Sequence, residues 1–132
     1  MTFLLDTNIW LELLLDQSRK EQVRTMLRKN DISNLAISDF SVYSIGIILT
    51  KLKRPTLLRR FLNDVLGRNG IALVRIPADR LKDITTTIKK TGLEFDDAYQ
   101  YLAAECHDLR IVSLDSDFDK TDSGRLTPTQ AC

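Results

Sequence analysis

Four short apolar runs, Thr2–Leu5, Leu35–Ser38, Ile71–Ile76 and Arg110–Leu114, are spread through this chain with helical periodicity between them. Runs this short read as strands. Strands separated by helices run parallel, because a parallel pair needs a crossover of about a dozen residues or more. A parallel sheet buries both faces, so helices must cover each side. The expected fold class is α/β, a three-layer α/β/α sandwich with a central, mainly parallel sheet. A length of 132 residues suits one domain over 1–132.

The intervening stretches set the helices. Ile9–Leu15 and Glu21–Arg28 read as helical, the second with Val23, Met26 and Leu27 on one face. Ser38 or Asp39 is placed to cap a helix whose apolar positions are Phe40, Tyr43, Ile47 and Ile48. Pro55 disfavours helical geometry at Arg54 and suits the first turn of a new helix carrying Leu58, Phe61, Leu62 and Val65. Pro77 and Asp79 open a further helix with Leu81, Ile84 and Ile88 inward, closed by Gly92. Asp96 or Asp97 starts the last one, with Phe95, Tyr99, Leu102 and Cys106 on a single stripe. The tail from Ser123 to Cys132 is read as at most one edge strand.

Charge is balanced overall, 19 Lys and Arg against 18 Asp and Glu, so the chain is not the strongly basic domain that binds nucleic acid by bulk attraction. The distribution says more. Lys51, Lys53, Arg54, Arg59, Arg60 and Arg68 meet only Asp64 between them, whereas acids dominate from Glu94 to Asp122. A basic arm beside an acidic centre suits a polyanion on one surface and metal on the other; the plainer reading is a solvated basic helix. Two cysteines, Cys106 and Cys132, make no disulfide framework, which fits a reducing, cytoplasmic setting. The apolar opening is interrupted by Asp6 and Glu12 and lacks a basic leader, so neither a signal peptide nor a membrane partner is expected.

Acids fall at telling places. Phe3-Leu4-Leu5 runs directly into Asp6, and Ile111-Val112-Ser113-Leu114 runs directly into Asp115. Ligands of open α/β sheets bind beyond the carboxyl ends of the strands, so both aspartates are delivered to one rim. Asp97, at a helix start, can be aimed there too, and Asp117 can join from the turn after Asp115. Such clustering is costly: two carboxylates about 4 Å apart repel by roughly 4 kcal/mol at an effective dielectric near 20. A cation or raised pKa values must offset it. Oxygen-only ligands suit Mg²⁺ or Mn²⁺ rather than zinc, and metal held this way activates water for displacement at phosphate. Each acid also has a plain structural role on offer: Asp6 as a helix cap, Asp96 favouring a helix N-terminus, Asp115-Ser116-Asp117 as a polar turn. Their joint occurrence favours the site. The lone His107 reads as a surface or helix-end residue, and Trp10 as core or a dimer contact.

In their order along the chain, Phe3-Leu4-Leu5-Asp6-Thr7-Asn8, then Asp97-Ala98 opening a helix with Ala103-Ala104, then Ile111-Val112-Ser113-Leu114-Asp115-Ser116-Asp117-Phe118 resemble the PIN domains, including the VapC-type toxins of toxin–antitoxin pairs. The resemblance implies a Rossmann-like fold and Mg²⁺- or Mn²⁺-dependent cleavage of RNA. It implies Asp6, Asp97 and Asp115 as metal-site acids with Asp117 as a variable fourth, and Thr7, Asn8 and Ser113 as polar supports. It also implies a homodimer and an antitoxin protein as partners.

One departure stands out. The family places a glutamate in the helix after the second strand, in a Thr-x-x-Glu pattern; here Ser41-Val42-Tyr43-Ser44-Ile45-Gly46 puts Ser44 at that position. Losing that charge weakens metal binding, shifts it to Asp96 or Glu94, or marks a degraded site. The leading expectation is therefore a metal-dependent endoribonuclease, with a catalytically degenerate RNA- or protein-binding module as the alternative. A phosphoacceptor on a similar sheet would need a strand-end lysine, for which Lys120 is poorly placed.

Overall fold

A computed structural model describes residues 2–132. Four strands form one sheet: β1 (Phe3–Leu5), β2 (Leu35–Ser38), β3 (Ala72–Val74) and β4 (Arg110–Val112). Their spatial order is β3-β2-β1-β4 and every pairing is parallel. Six helices flank it: α1 (Thr7–Leu14), α2 (Lys20–Lys29), α3 (Asp39–Lys51), α4 (Pro55–Leu66), α5 (Asp83–Thr91) and α6 (Phe95–Cys106). The α/β/α sandwich expected from the alternation is what the chain adopts.

Period-2 alternation along the strands splits the core into two layers. Leu4, Ala36 and Ile111 pack on one face with Ala98, Leu102 and Phe118. Leu5, Ile37 and Val112 pack on the other with Ile9, Met26, Ile45 and Phe61. Trp10 is buried and meets Phe61 edge-on at 5.7 Å, so it is a core residue. Between α1 and α2 the chain is held by buried Glu12, which accepts the Arg19 N–H at 2.6 Å. Gly92 ends α5 at φ 72°, a left-handed turn that glycine enters without penalty.

Several expectations are corrected. Tyr43 and Ile47 are 66% and 57% exposed; the buried positions of α3 are Ser41, Ile45 and Leu49, one helical turn apart each. The helix is apolar on more than one face, which hides the core-facing stripe. Leu81 and Phe95 are also exposed, because a separate 3₁₀ turn (Ala78–Arg80) precedes α5 and Phe95 lies in the first turn of α6. The tail contributes one parallel bridge, Leu126 to Val112, rather than a strand. Among the described residues no helix is long and apolar enough to cross a membrane.

The topology singles out one place. Chain order runs β1, β2, β3 toward one edge and returns to place β4 on the other side of β1. A crevice opens at such a reversal, beyond the carboxyl ends of β1 and β4.

Candidate metal centre

Asp6 and Asp115 stand at that crevice, each just past a strand. Asp6 caps α1 from extended backbone, its Oδ1 accepting the Thr7 N–H at 2.8 Å. Asp115 caps a 3₁₀ turn (Ser116–Lys120), accepting the Asp117 N–H at 2.9 Å. Asp97 comes from the first turn of α6, where its N–H meets Asp96 Oδ1 at 2.9 Å. Glu94, not Asp96, takes the N-cap position of that helix, and Asp96 lies in its first turn.

One carboxylate oxygen from each of Asp97, Asp115 and Asp117 lies within 4.8 Å of the others. Asp6 is outside that triad but lines the same cavity of about 300 Å³, together with Asp96, Asp97, Asp115, Thr7, Asn8 and Ser44. Ser44 thus lines the cavity with the acids and brings no charge to it.

Beneath the acids lies a buried polar network. Asp6 is 5% exposed, and besides Thr7 it accepts Gln100 Nε2 at 3.0 Å on Oδ1 and Ser113 Oγ at 2.7 Å on Oδ2. Gln100 in turn donates to Ser41 Oγ at 2.6 Å and accepts from Ser38 Oγ at 2.6 Å. Ser41 Oγ meets Thr7 Oγ1 at 2.8 Å. Gln100 went unnoticed in the sequence as a site residue. Its signal was available: a glutamine one turn after Asp97 shares that aspartate's face of the helix, yet it sits buried in the alanine-rich stretch.

Electrostatics follow from the crowding. Burial pushes the Asp6 carboxyl up, and Asp115 adds repulsion; the hydrogen bonds from Ser113, Gln100 and Thr7 oppose both. Asp97 is pushed up to about 7, first by burial and then by Asp96, Asp6 and Asp115 in that order. Acids held this close without a counter-charge retain protons.

The donor set is all carboxylate oxygen, which suits a hard divalent cation. Ligand atoms around an octahedral ion at about 2.1 Å stand roughly 3–4 Å apart, so the triad needs only small side-chain rotations to close on one. The residues present therefore fit such an ion.

The first residues of the basic arm lie at the far end of α3 from this centre. Exposed Lys51 ends α3, twelve residues from Asp39 at the rim, and at 1.5 Å per residue that places it about 18 Å away along the helix. Exposed Lys53 and Arg54 follow it. His107 takes a structural role, its Nε2 lying 2.7 Å from the Arg75 carbonyl. Both cysteines are free.

Comparisons agree with this architecture. A toxin–antitoxin complex from Klebsiella pneumoniae is 20% identical, with 96% of this chain and 98% of that one covered at a TM-score of 0.74. The FitAcB structure from Neisseria gonorrhoeae is 23% identical over 96% and 98% of the two chains, TM-score 0.75. The sarcin–ricin loop cleaving toxin VapC20 of Mycobacterium tuberculosis is 14% identical over 96% and 100%, TM-score 0.77. At these identities the likeness is one of fold. No curated protein matches the sequence. The sequence model of the PIN domain, however, matches residues 3–124, nearly the whole chain. This chain belongs to the PIN domain family.

Proposed function

We propose that the protein is a Mg²⁺- or Mn²⁺-dependent endoribonuclease, the toxin of a toxin–antitoxin pair. The observation that carries this is the convergence of Asp97, Asp115 and Asp117 oxygens within 4.8 Å, over a buried Asp6, at the sheet's reversal point. A divalent ion at these acids supplies the charge and water activation that hydrolysis of an RNA phosphodiester needs. The chain's own residues do the rest. Asp6, gripped by three donors, is held in one orientation at the cavity wall. Asp97, its carboxyl pushed up to about 7 by burial and by the neighbouring acids, lines the same cavity. Thr7, Asn8, Ser44, Ser113 and Asp96 line or brace that cavity as polar supports. The family and the toxin–antitoxin complex among the structural neighbours support an antitoxin protein as partner, and a second copy of the chain and a cytoplasmic site of action complete the proposal.

The test is incubation with mixed RNAs in Mn²⁺, Mg²⁺ or chelator. Cleavage is expected with either metal, none with chelator, and none in Asp6→Asn or Asp97→Asn. Undiminished cleavage in both variants ends this reading. The second reading, a catalytically degenerate RNA- or protein-binding module, is favoured by Ser44 alone. Calorimetry finding no uptake of Mg²⁺ or Mn²⁺, with RNA still bound, would select it.

A further inference from the structure

The polar residues beneath the acids form a hydrogen-bond chain whose direction can be worked out. A carboxylate only accepts, so the Gln100 atom 3.0 Å from Asp6 Oδ1 must be its amide nitrogen. The same Asp6 oxygen already accepts the Thr7 N–H, so it meets the carboxamide as an acceptor. Gln100 Oε1 then accepts from Ser38 Oγ, and the second amide hydrogen goes to Ser41 Oγ. Ser38, Ser41 and Gln100 are all buried, so the Ser41 hydroxyl hydrogen must find an acceptor within the protein. Thr7 Oγ1 stands at 2.8 Å and Ser38 Oγ at 3.3 Å; only the first is within the normal O–H···O range. Ser41 therefore donates to Thr7. The Thr7 hydroxyl, having accepted, keeps its own hydrogen free, and its side chain lines the acid cavity.

We infer that Gln100 is a positioning residue and Thr7 a substrate-contacting one: the buried carboxamide orients the chain so that Thr7 offers its hydroxyl hydrogen to a phosphate oxygen of a strand in the cavity. This rests on the nuclease reading for the identity of the acceptor. In a cavity where Asp6, Asp96, Asp97 and Asp115 bring only acceptors, the Thr7 hydroxyl hydrogen suits an oxygen-rich anion whose charge a cation offsets. Gln100 serves the same end at Asp6, whose carboxyl group it holds at Oδ1 while Asp97 and Asp115 line the cavity beside it.

Two measurements on the full chain test this. In metal-free protein, side-chain amide exchange by NMR compares Gln100 with the exposed Gln22; Gln100 is expected to exchange far more slowly, and exchange as fast as Gln22 overturns the positioning role. Thr7→Val, which keeps shape but removes the hydroxyl, is then compared with Thr7→Ser in Mn²⁺ calorimetry and in kcat on a single-stranded RNA. The valine variant is expected to bind Mn²⁺ as the wild type does yet lose about ten-fold or more in kcat, the worth of one hydrogen bond to a charged group, with serine restoring it. Wild-type kcat in Thr7→Val overturns the contact. A wild-type protein that neither binds Mn²⁺ nor cleaves RNA overturns the nuclease reading and Thr7's phosphate contact with it, while Gln100 exchange still decides the positioning role by itself.

Discussion

Asn8 and Ser113 are joined side chain to side chain across the crevice between β1 and β4, Nδ2 to Oγ at 3.1 Å. Ser113 Oγ is fully used: it also donates to Asp6 Oδ2 at 2.7 Å and accepts the Asp115 N–H at 2.9 Å. Asn8 Oδ1 accepts the Leu114 N–H at 3.1 Å. One buried hydroxyl thus ties together the two strand-end aspartates, whose positions lie more than a hundred residues apart in sequence.

Ser113→Ala removes the strongest single donor opposing the rise of the Asp6 pKa and strands the Asp115 N–H. The expected cost is about 1–3 kcal/mol, that of leaving buried polar groups unpaired. Urea denaturation measures it. An unchanged midpoint would mean that solvent replaces the hydroxyl at no cost, contradicting its complete burial.

Asp97 gives the metal-free protein a pH dependence of definite sign. Its carboxyl is raised to about 7 from the 3.8 of a free aspartate. Between those values the folded protein holds a proton that the unfolded chain has released, so stability falls as pH rises from about 4 to about 7. The buried Asp6 acts in the same direction. Thermal melts in chelator across this window are expected to show the decline, Asp97→Asn to flatten part of it, and Mn²⁺ to abolish it. Identical slopes in wild type and Asp97→Asn would show that Asp97 is not the group concerned.

How much of this was legible without coordinates depends on the range of each signal. The strand-end acids were legible because a short apolar run stopping at an aspartate is a local pattern. Asp97 was legible because a helix start is local too. Gln100 was legible only in part: its spacing from Asp97 puts it on that aspartate's face, but nothing in its neighbours says that the amide turns toward Asp6, a residue ninety-four positions away. The stripe of α3 was misjudged because Tyr43, Ile45, Ile47 and Leu49 make several faces apolar, and only packing chooses Ile45 and Leu49. The placement of Lys51, Lys53 and Arg54 likewise depended on which end of α3 lies at the rim, a matter of topology rather than composition.

Ser44 offers a gain-of-function test. It lines the cavity with Asp6, Asp97 and Asp115, one turn beyond buried Ser41 on α3. Ser44→Glu adds a carboxylate to the set. In metal-free protein the new repulsion lowers the melting temperature. With Mn²⁺ the added ligand is expected to tighten binding by about ten-fold, equivalent to roughly 1.4 kcal/mol. Calorimetry showing equal or weaker binding would place the ion beyond reach of α3.

Phe118 links core stability to the geometry of the acids. It sits between Asp117 and Asp119 in the 3₁₀ turn that Asp115 caps, yet its ring is fully buried in the layer formed with α6. Its carbonyl accepts both the Thr121 N–H at 3.0 Å and the Thr121 hydroxyl at 2.6 Å, so the turn is anchored at its centre. Phe118→Ala is expected to cost about 3–5 kcal/mol through lost burial and the cavity left behind. Because the same ring holds Asp115 and Asp117 in register with Asp97, Mn²⁺ affinity of the folded fraction should fall as well. Met26→Ala is the control. It empties an equally buried position in the opposite layer, with an expected cost of about 2–5 kcal/mol and no change in Mn²⁺ affinity. Should Phe118→Ala destabilise the fold while binding Mn²⁺ as the wild type does, the turn would be held by its backbone bonds alone and the ring would have no part in placing the acids.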